Sequence, residues 1–223
     1  MNRLLASLLC VFIAMAIQAK NTACANISLT DGTVMENVEL ELPRVWTNEV
    51  KYAVYGKKEK LKSEQVDYMI IWHKDTPDNK SCLRYLQCGD FDRKTGEYKP
   101  NKKKKEWFML ESAGEHLALW IMFWQAKVKA DKIELKLGDG PSFPGTAYYF
   151  QKKGDNVAYK IAFDPARPGM VRDWLKAFLS DDPELVERIT DKGYFNRRKA
   201  LRHGNDYNPF FFEDIAVDYN PNK

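Results

Sequence analysis

Few residues of this 223-residue chain have the types and spacings that chemistry requires. The three histidines, His73, His116 and His203, form neither an HExxH pattern nor a Cys/His spacing typical of zinc sites. Ser112 lies in the stretch LESAG, which imitates a nucleophile elbow, but Leu110 takes the place of its first glycine. A sequence-distant histidine or an unmarked pair of carboxylates would still allow a hydrolase, which stays an alternative.

Two polar stretches match ligand-binding loops only in part. Asp90 and Asp92 are spaced as in a calcium loop, but Lys94 and Thr95 stand where an EF-hand has an oxygen ligand and a glycine. The stretch GDGPSFPG, residues 138–145, lacks both the GxxxxGK[ST] and the GxGxxG patterns of phosphate loops. The sequence therefore predicts no metal, no cofactor and no catalytic residue.

Aromatic residues are the remaining candidates for a binding surface. They make up 13% of the chain, which includes six tryptophans. Flat rings can stack on sugar faces, and Trp107, Trp120 and Trp124 are the candidates for a glycan site if their rings are exposed. Trp120 and Trp124 belong to the apolar run LALWIMFW (117–124), which must be covered on both faces or form an interface. Exposed, coplanar rings would favour glycan binding, and buried rings would exclude it.

The charge balance argues against a nucleic-acid partner. Thirty-five basic and 31 acidic residues give a net charge of +4, and the two signs are interspersed. Basic runs such as 102–105 are more typical of solvated loops than of a phosphate-binding groove. A composition of 44% hydrophobic and 30% charged residues is that of an ordinary globular protein.

The first 25 residues predict export. A positive Asn2-Arg3 is followed by an uncharged, mostly apolar run (4–17) and a small-residue cleavage site ending at Ala19. We therefore predict a signal peptide over 1–19, with cleavage as late as residue 25 as an alternative. The apolar run is too short for a good membrane span, and no later stretch is long enough to be one.

The cysteines that remain after cleavage at Ala19 are Cys24, Cys82 and Cys88, an odd number. Cleavage after Ala25 or lipidation of Cys24 would remove the odd one, although Asn21 stands where a lipobox has leucine. Cys82 and Cys88 could form a disulfide only across a bend, because on one extended strand they would lie about 20 Å apart. Two buried free thiols are the alternative.

Hydrophobic periodicity predicts where these residues are held. In LTDGTVMENVELELP (29–43), an Asp31-Gly32 turn joins two alternating segments, which indicates a hairpin. Further strands at 50–54, near Leu61 and at 66–72 make five short strands, as in a small bent barrel of the SH3 or Sm type over 26–76. LTDG, VKYAVYGKKEKLK and SEQVDYMII there resemble the small-barrel modules of exported bacterial proteins.

Beyond residue 76 the pattern changes once. Strands are predicted at 83–86, 105–112, 117–130, 133–137, 147–151 and 157–163, with a polar, turn-rich connection at 88–105. From Met170 apolar residues recur at helical spacing, Asp182-Pro183 begins a second helix, a short helix is possible at 197–202, and a last one covers 211–219. The sequence thus predicts an α+β fold that is mainly β: an N-terminal barrel (26–76), a second antiparallel β region (77–166) and C-terminal helices (167–223) packed on it.

The order GEHLALW, AYYFQKKGDNVAYKI, WLKAFLSDDPELVERI and FEDIAVDYN resembles uncharacterised exported proteins of Bacteroidetes-type bacteria. Those proteins end in helices that carry an F-x-D-x-P-x-L segment and a terminal YN. The matching residues here are Phe178, Asp181 or Asp182, Pro183, Leu185 and Tyr219-Asn220. The resemblance covers most of the chain after the leader and implies an exported, β-rich scaffold without catalytic residues.

Together these observations predict an exported envelope protein that acts as a non-enzymatic binding or interaction scaffold. Its partner would be another envelope protein, or a glycan in the alternative with exposed aromatic rings. A hydrolase with an unrecognised site is the third possibility, and a cleft with perturbed titratable groups would favour it.

Overall fold

The computed structural model describes residues 22–92, 95–140, 143–144, 147–161, 168–190 and 210–221. The predicted signal peptide and the helix predicted at 197–202 lie outside these ranges. The strands are β1 Thr22–Leu29, β2 Val34–Glu41, β3 Glu49–Val54, β4 Lys57–Lys62, β5 Val66–His73, β6 Thr76–Asp92, β7 Glu97–Ala113, β8 Leu117–Val128, β9 Ile133–Gly140, β10 Phe143–Pro144, β11 Tyr148–Lys152 and β12 Val157–Lys160. The helices are α1 Pro168–Phe178, α2 Pro183–Thr190 and α3 Phe210–Asp218. The prediction of a mainly β, α+β fold is confirmed.

The first five strands form a small antiparallel barrel in the order β5-β1-β2-β3-β4. The predicted Asp31-Gly32 hairpin is confirmed: Gly32 has a φ of +89°, and Asp31 Oδ1 accepts the Thr33 N–H at 2.9 Å. A 3-10 turn, Ser63–Gln65, leads from β4 into β5. Alternate residues of β1 and β2, including Ile27 and Leu40, point inward and are fully buried.

The later strands close a second ring. Strand β6 pairs with β7, β7 with β8, β8 with β11, β11 with β12, and β12 returns to β6. We call these five strands the closed barrel. The pair of β12 with β6 is parallel, and the other pairs described here are antiparallel. Phe108, Trp120, Met122 and Tyr149 fill the interior together with Cys88.

The segment predicted as a polar, turn-rich connection at 88–105 is largely strand and forms the outer part of a long hairpin, so the predicted strand ends at 86 and 105 are wrong. Strands β6 and β7 are both 17 residues long and remain paired out to Asp92 and Glu97. Charged side chains such as Lys99 project into solvent, while the backbones of β6 and β7 pair on both sides of a register shift between Gln87 and Gly89. Near the tip, Phe91 and Tyr98 pack on helix α1, and the Tyr98 hydroxyl donates to the Trp174 carbonyl at 2.7 Å.

The two β regions share one core, a point that the sequence left open. Leu83, Trp107, Phe123 and Ala126 from β6, β7 and β8 join the buried residues of β1, β2, β3 and β5 in a single cluster. The opposite side of β8 and β11 is covered by the three helices, as predicted, through residues such as Leu119. Among the described residues, no helix has the length and apolarity that crossing a membrane requires.

Candidate functional site

Two of the three predicted tryptophans are buried. Trp107 has no exposed surface, and its indole N–H donates to the Thr47 carbonyl at 3.0 Å. Trp120 lies inside the closed barrel, where its indole N–H donates to Gln151 Oε1 at 2.9 Å. These two rings therefore lack the exposure on which the glycan alternative depended. Alternation along a strand shows which residues share a face, but not that the barrel closes over that face.

Trp124, the third candidate, is half-buried on β8. The Lys136 ammonium lies 5.1 Å from the centre of its ring, in cation–π contact. Because the ammonium occupies one face of the ring, that face cannot stack on a sugar. Trp124 also has neither Trp107 nor Trp120 as an exposed partner, so the predicted coplanar surface does not form.

The exposed tryptophan is Trp46, in the loop between β2 and β3, which sequence reasoning did not single out. Its side chain is 56% exposed. Both neighbours face inward: Val45 is buried against the closed-barrel interior, and Thr47 is partly buried. Exposure alternates along Arg44, Val45 and Trp46, and Pro43 separates these residues from the alternation of β2. This alternation is the signal that could have identified Trp46. We call residues 44–48 the Trp46 loop.

The Trp46 loop is fixed from both sides. The Thr47 carbonyl accepts hydrogen bonds from the Trp107 indole at 3.0 Å and from the Ser63 hydroxyl at 2.8 Å. The Val45 carbonyl accepts the Trp107 backbone N–H at 2.9 Å, and the Asn48 carbonyl accepts the Ser63 N–H at 2.8 Å. Within the loop, Thr47 Oγ1 accepts the Arg44 N–H at 3.0 Å. The Thr47 N–H also donates to the Arg44 carbonyl at 2.9 Å, so the exposed indole is carried on a loop that six hydrogen bonds hold in place.

Among the described residues, His73, His116 and Ser112 do not form an arrangement for hydrolysis. His73 is buried at the end of β5, and its Nδ1 accepts the Asp75 backbone N–H at 3.2 Å. Ser112 lies within β7 opposite Leu119, whereas a nucleophile elbow needs a sharp turn from a strand into a helix. His116 lies in the β7–β8 turn, and His203 is outside the described residues. In the described ranges no cluster of His, Cys, Asp or Glu could hold a metal ion.

The three described cysteines are free thiols. Cys82 and Cys88 lie on the same continuous strand, β6, so the bend that a disulfide would need is absent there. Burial raises the pKa of Cys82 to about 11. Burial, followed by the nearby Glu106 carboxylate, raises the pKa of Cys88 far above its ordinary range. Cys24 is partly buried within β1, and burial raises its pKa as well. A thiol that stays protonated is a poor nucleophile, so none of them is set up for catalysis.

One carboxylate has the raised pKa that a glycosidase acid would need. Burial, followed by repulsion from Glu213 on α3, raises the pKa of Glu111 on β7. Neither residue lines the groove over β2, β3 and β4 or the concave mouth of the closed barrel between the β7–β8 and β11–β12 turns. At neither place does this acid have the substrate position that hydrolysis requires.

The residues of the C-terminal resemblance come together, but as a structural clamp. Asp181 accepts two hydrogen bonds from Lys152 Nζ, at 2.7 and 2.9 Å, and one from the Tyr219 hydroxyl at 2.6 Å. The Lys152 ammonium also lies over the rings of Phe178 and Tyr219. Asp182 caps α2 by accepting the Leu185 N–H at 3.0 Å, and its other oxygen accepts the Asn220 N–H. The motif therefore ties β11, the α1–α2 turn and the chain after α3 together.

Comparison of the chain with protein-family models, with curated proteins and with solved structures finds no match.

Proposed function

We propose that this protein is an exported, non-enzymatic scaffold that binds another protein through the Trp46 loop. The observation that carries the proposal is a tryptophan more than half exposed on a loop held by six hydrogen bonds. Tryptophan is among the residues most enriched at the energetic centres of protein interfaces. A loop that is already fixed loses little conformational entropy on binding, so most of the burial energy of the indole contributes to affinity.

The surroundings of Trp46 indicate what its partner would offer. Arg44 and Asn48 are exposed on either side of it along the loop. The neighbouring 3-10 turn adds Glu64, whose carboxylate pairs with Lys105 at 2.7 Å. A partner that fits this surface has an apolar pocket for the indole and a polar rim with an acidic group for Arg44. This is the usual arrangement of a small interface, with an apolar centre and a polar edge.

The state of the reactive groups supports binding rather than catalysis. The described thiols are held protonated by burial, Ser112 is inside a strand, and the carboxylate with a raised pKa lines neither the mouth of the closed barrel nor the groove over β2, β3 and β4. The rings that glycan binding would use, Trp107 and Trp120, are in the cores. The glycan and hydrolase alternatives therefore have less support than an interaction scaffold.

Export is the second part of the proposal, with cleavage after Ala19 as the favoured site. Strand β1 begins at Thr22, and its residues Ala23 and Ala25 are buried between β2 and β5. Cleavage after Ala25 would remove half of this central strand. Lipidation of Cys24 would make it the first residue and would remove the pairs that Thr22 and Ala23 form with β2. Mass spectrometry of the protein purified from its native host tests this: a mass beginning at Lys20 is expected, and an acylated Cys24 would contradict it.

A matched pair of variants tests the Trp46 loop. Tyr55, fully exposed in the β3–β4 turn at the other end of β3, is the control. Trp46→Asn and Tyr55→Asn each remove an exposed ring, and asparagine tolerates the positive φ of Tyr55. Both variants are expected to melt within a few degrees of the parent protein because neither ring is buried.

The binding readout uses the partner isolated by crosslinking in the native host and then purified. Trp46→Asn is expected to weaken the purified complex by about thirtyfold or more, as for a tryptophan at an interface centre, while Tyr55→Asn leaves the affinity unchanged. Equal effects of the two variants would refute the assignment of the loop. A glycan that binds the parent protein and is lost with Trp124→Ala would refute the class of partner.

A further inference from the structure

A small pocket opens at one mouth of the closed barrel. It lies between the β7–β8 turn and the β11–β12 turn and has a volume of about 260 Å³. Leu110, Ala118 and Trp120 give it an apolar floor that continues into the barrel interior. Pockets that hold drug-sized ligands measure roughly 300–1,000 Å³, so this one suits a smaller molecule.

The pocket is preorganised by hydrogen bonds. Gln151 is buried; its Oε1 accepts the Trp120 indole N–H at 2.9 Å, and its side-chain amide donates to the Asp155 carbonyl in the β11–β12 turn. The Lys153 backbone N–H donates to the His116 carbonyl at 2.9 Å and so joins the two turns that form the rim. The orientation of the indole and the spacing of the rim are therefore set before any ligand arrives.

The rim of the pocket is cationic. Arg84, His116 and Lys153 line it, and Glu115 is the carboxylate among the lining residues. Glu115 is 77% exposed and lies 3.7 Å from His116. Lys152 also lines the pocket, but the C-terminal clamp engages its ammonium. Arg84 donates through Nη2 to Asp67 Oδ1 at 2.7 Å and through Nε to the Asp67 carbonyl at 3.2 Å, which leaves part of its five-donor guanidinium for a ligand.

We propose that the barrel mouth binds a small organic anion, a carboxylate attached to an aromatic or short apolar group. The apolar part packs on Trp120 and Leu110, and the carboxylate pairs with Arg84, with Lys153 adding attraction from the rim. A guanidinium matches a carboxylate in shape and charge, and partial exclusion from water strengthens the pair. This site is separate from the Trp46 loop and does not depend on the function proposed for it.

Benzoate and its neutral analogue benzamide are the probes. NMR titration of the full chain follows the Trp120 indole N–H, identified as the peak that Trp120→Phe removes. We expect benzoate to shift this peak saturably and to bind about tenfold more tightly than benzamide, as the loss of a charge-assisted hydrogen bond implies. Equal affinities of the two probes, or no shift of the indole peak by either, would overturn the proposal.

A pair of variants separates ligand recognition from support of the fold. Arg84→Gln removes the proposed partner of the carboxylate and should weaken benzoate by about tenfold. Asp67→Asn removes the competing carboxylate and should strengthen benzoate binding severalfold, because it frees Arg84. Both variants break the ion pair between Arg84 and Asp67. If this pair only supported the fold, both variants would change the affinity for benzoate in the same direction, and that result would refute the site.

Two exposed lysines complete the design. Lys153→Gln should weaken benzoate by about two- to threefold, the effect of a screened surface charge, and cannot unfold the protein because its side chain is exposed. Lys132→Gln, in the β8–β9 turn outside the pocket lining, carries the same change in net charge and should have no effect. Equal losses with both lysine variants would show that only the overall charge matters and would overturn the site.

Discussion

The close approach of α3 to the β7–β8 turn gives a sharp test of how the helices are held. A Cβ atom built on Gly114 would lie 2.1 Å from the Ala216 carbonyl oxygen and 2.9 Å from the Val217 Cα, where ordinary contact begins at 3.4 Å. Both contacts are backbone atoms of α3 and cannot rotate away. In Gly114→Ala, α3 must therefore retreat by about 1 Å or more, which loosens Phe212, Ile215 and the rest of its buried face.

The expected cost of Gly114→Ala is about 1–3 kcal/mol, the range for overpacked sites, or a fall in melting temperature of roughly 2–12 °C for a chain of this size. Gly169→Ala is the matched control, because a Cβ atom there meets nothing within 4 Å in the first turn of α1. The control should be neutral or more stable by up to about 1 kcal/mol, since alanine favours helix more than glycine does.

Thermal melts followed by circular dichroism measure the change in stability, and hydrogen exchange over 210–219 measures the docking of α3. Gly114 does not have positive φ, so alanine brings no backbone strain and the effect is steric. Equal melting temperatures of the two variants, or unchanged exchange in α3 of Gly114→Ala, would refute the packing described here.

Three further predictions follow from the described contacts. The hydrogen bonds from Lys152 and Tyr219 outweigh burial and lower the pKa of Asp181. The stability this gives is present above pH 3.8 and is lost as the pH falls through the folded pKa. Urea titrations should show a deficit of about 1 kcal/mol or less in Asp181→Asn at pH 7, because the carboxylate is nearly half exposed. This deficit should shrink as the pH falls below 3.8, and a constant deficit contradicts this. Alkylation of Cys82 in the native protein should keep accelerating up to about pH 11, whereas the urea-unfolded chain levels off near pH 9; a plateau near 9 in both states contradicts the burial of the thiol. A chain beginning at Lys20 should fold, whereas one beginning at Asn26 should not, because it lacks the buried Ala23 and Ala25. In size-exclusion chromatography the shorter chain should elute as unfolded or aggregated material. Equal elution of the two chains would show that half of β1 is dispensable.

Short-range sequence patterns predicted several turns, strands and helix ends correctly. The Asp31-Gly32 turn, the alternation that buries Val38 and Leu40, and the Asp182-Pro183 start of α2 are all present. Each depends on a few neighbouring residues: a glycine at positive φ, an apolar residue at every second position, or a carboxylate that caps a helix. Such preferences act over one turn or one strand, so the sequence displays them directly.

The site could not be predicted because it depends on contacts between distant segments. Nothing near Trp107 in the sequence indicates that the distant loop at Thr47 contacts its indole. Trp120 is buried because β12 pairs with β6 and closes the barrel around it. Conversely, Trp46 stands in a short polar loop whose rigidity comes from Ser63 and Trp107, both far along the chain. The lysines at 102–105 suggested a loop because their solvated side chains do not show that they belong to β7, which pairs with β6 on both sides of a register shift.

The parallel pair that closes the second barrel also sets an order for building the molecule. Val157 pairs with Gln87, so the ring cannot close until β7, β8 and β11 have all been made. Strands β1 to β5 pair with one another, and β5 also pairs with β6, so they can assemble while synthesis continues. Until then the nascent chain presents unpaired strand edges and the apolar run of β8, the surfaces that chaperones bind and that aggregate when left uncovered. A ribosome stalled just before residue 157 should therefore carry a finished first barrel and an open second one.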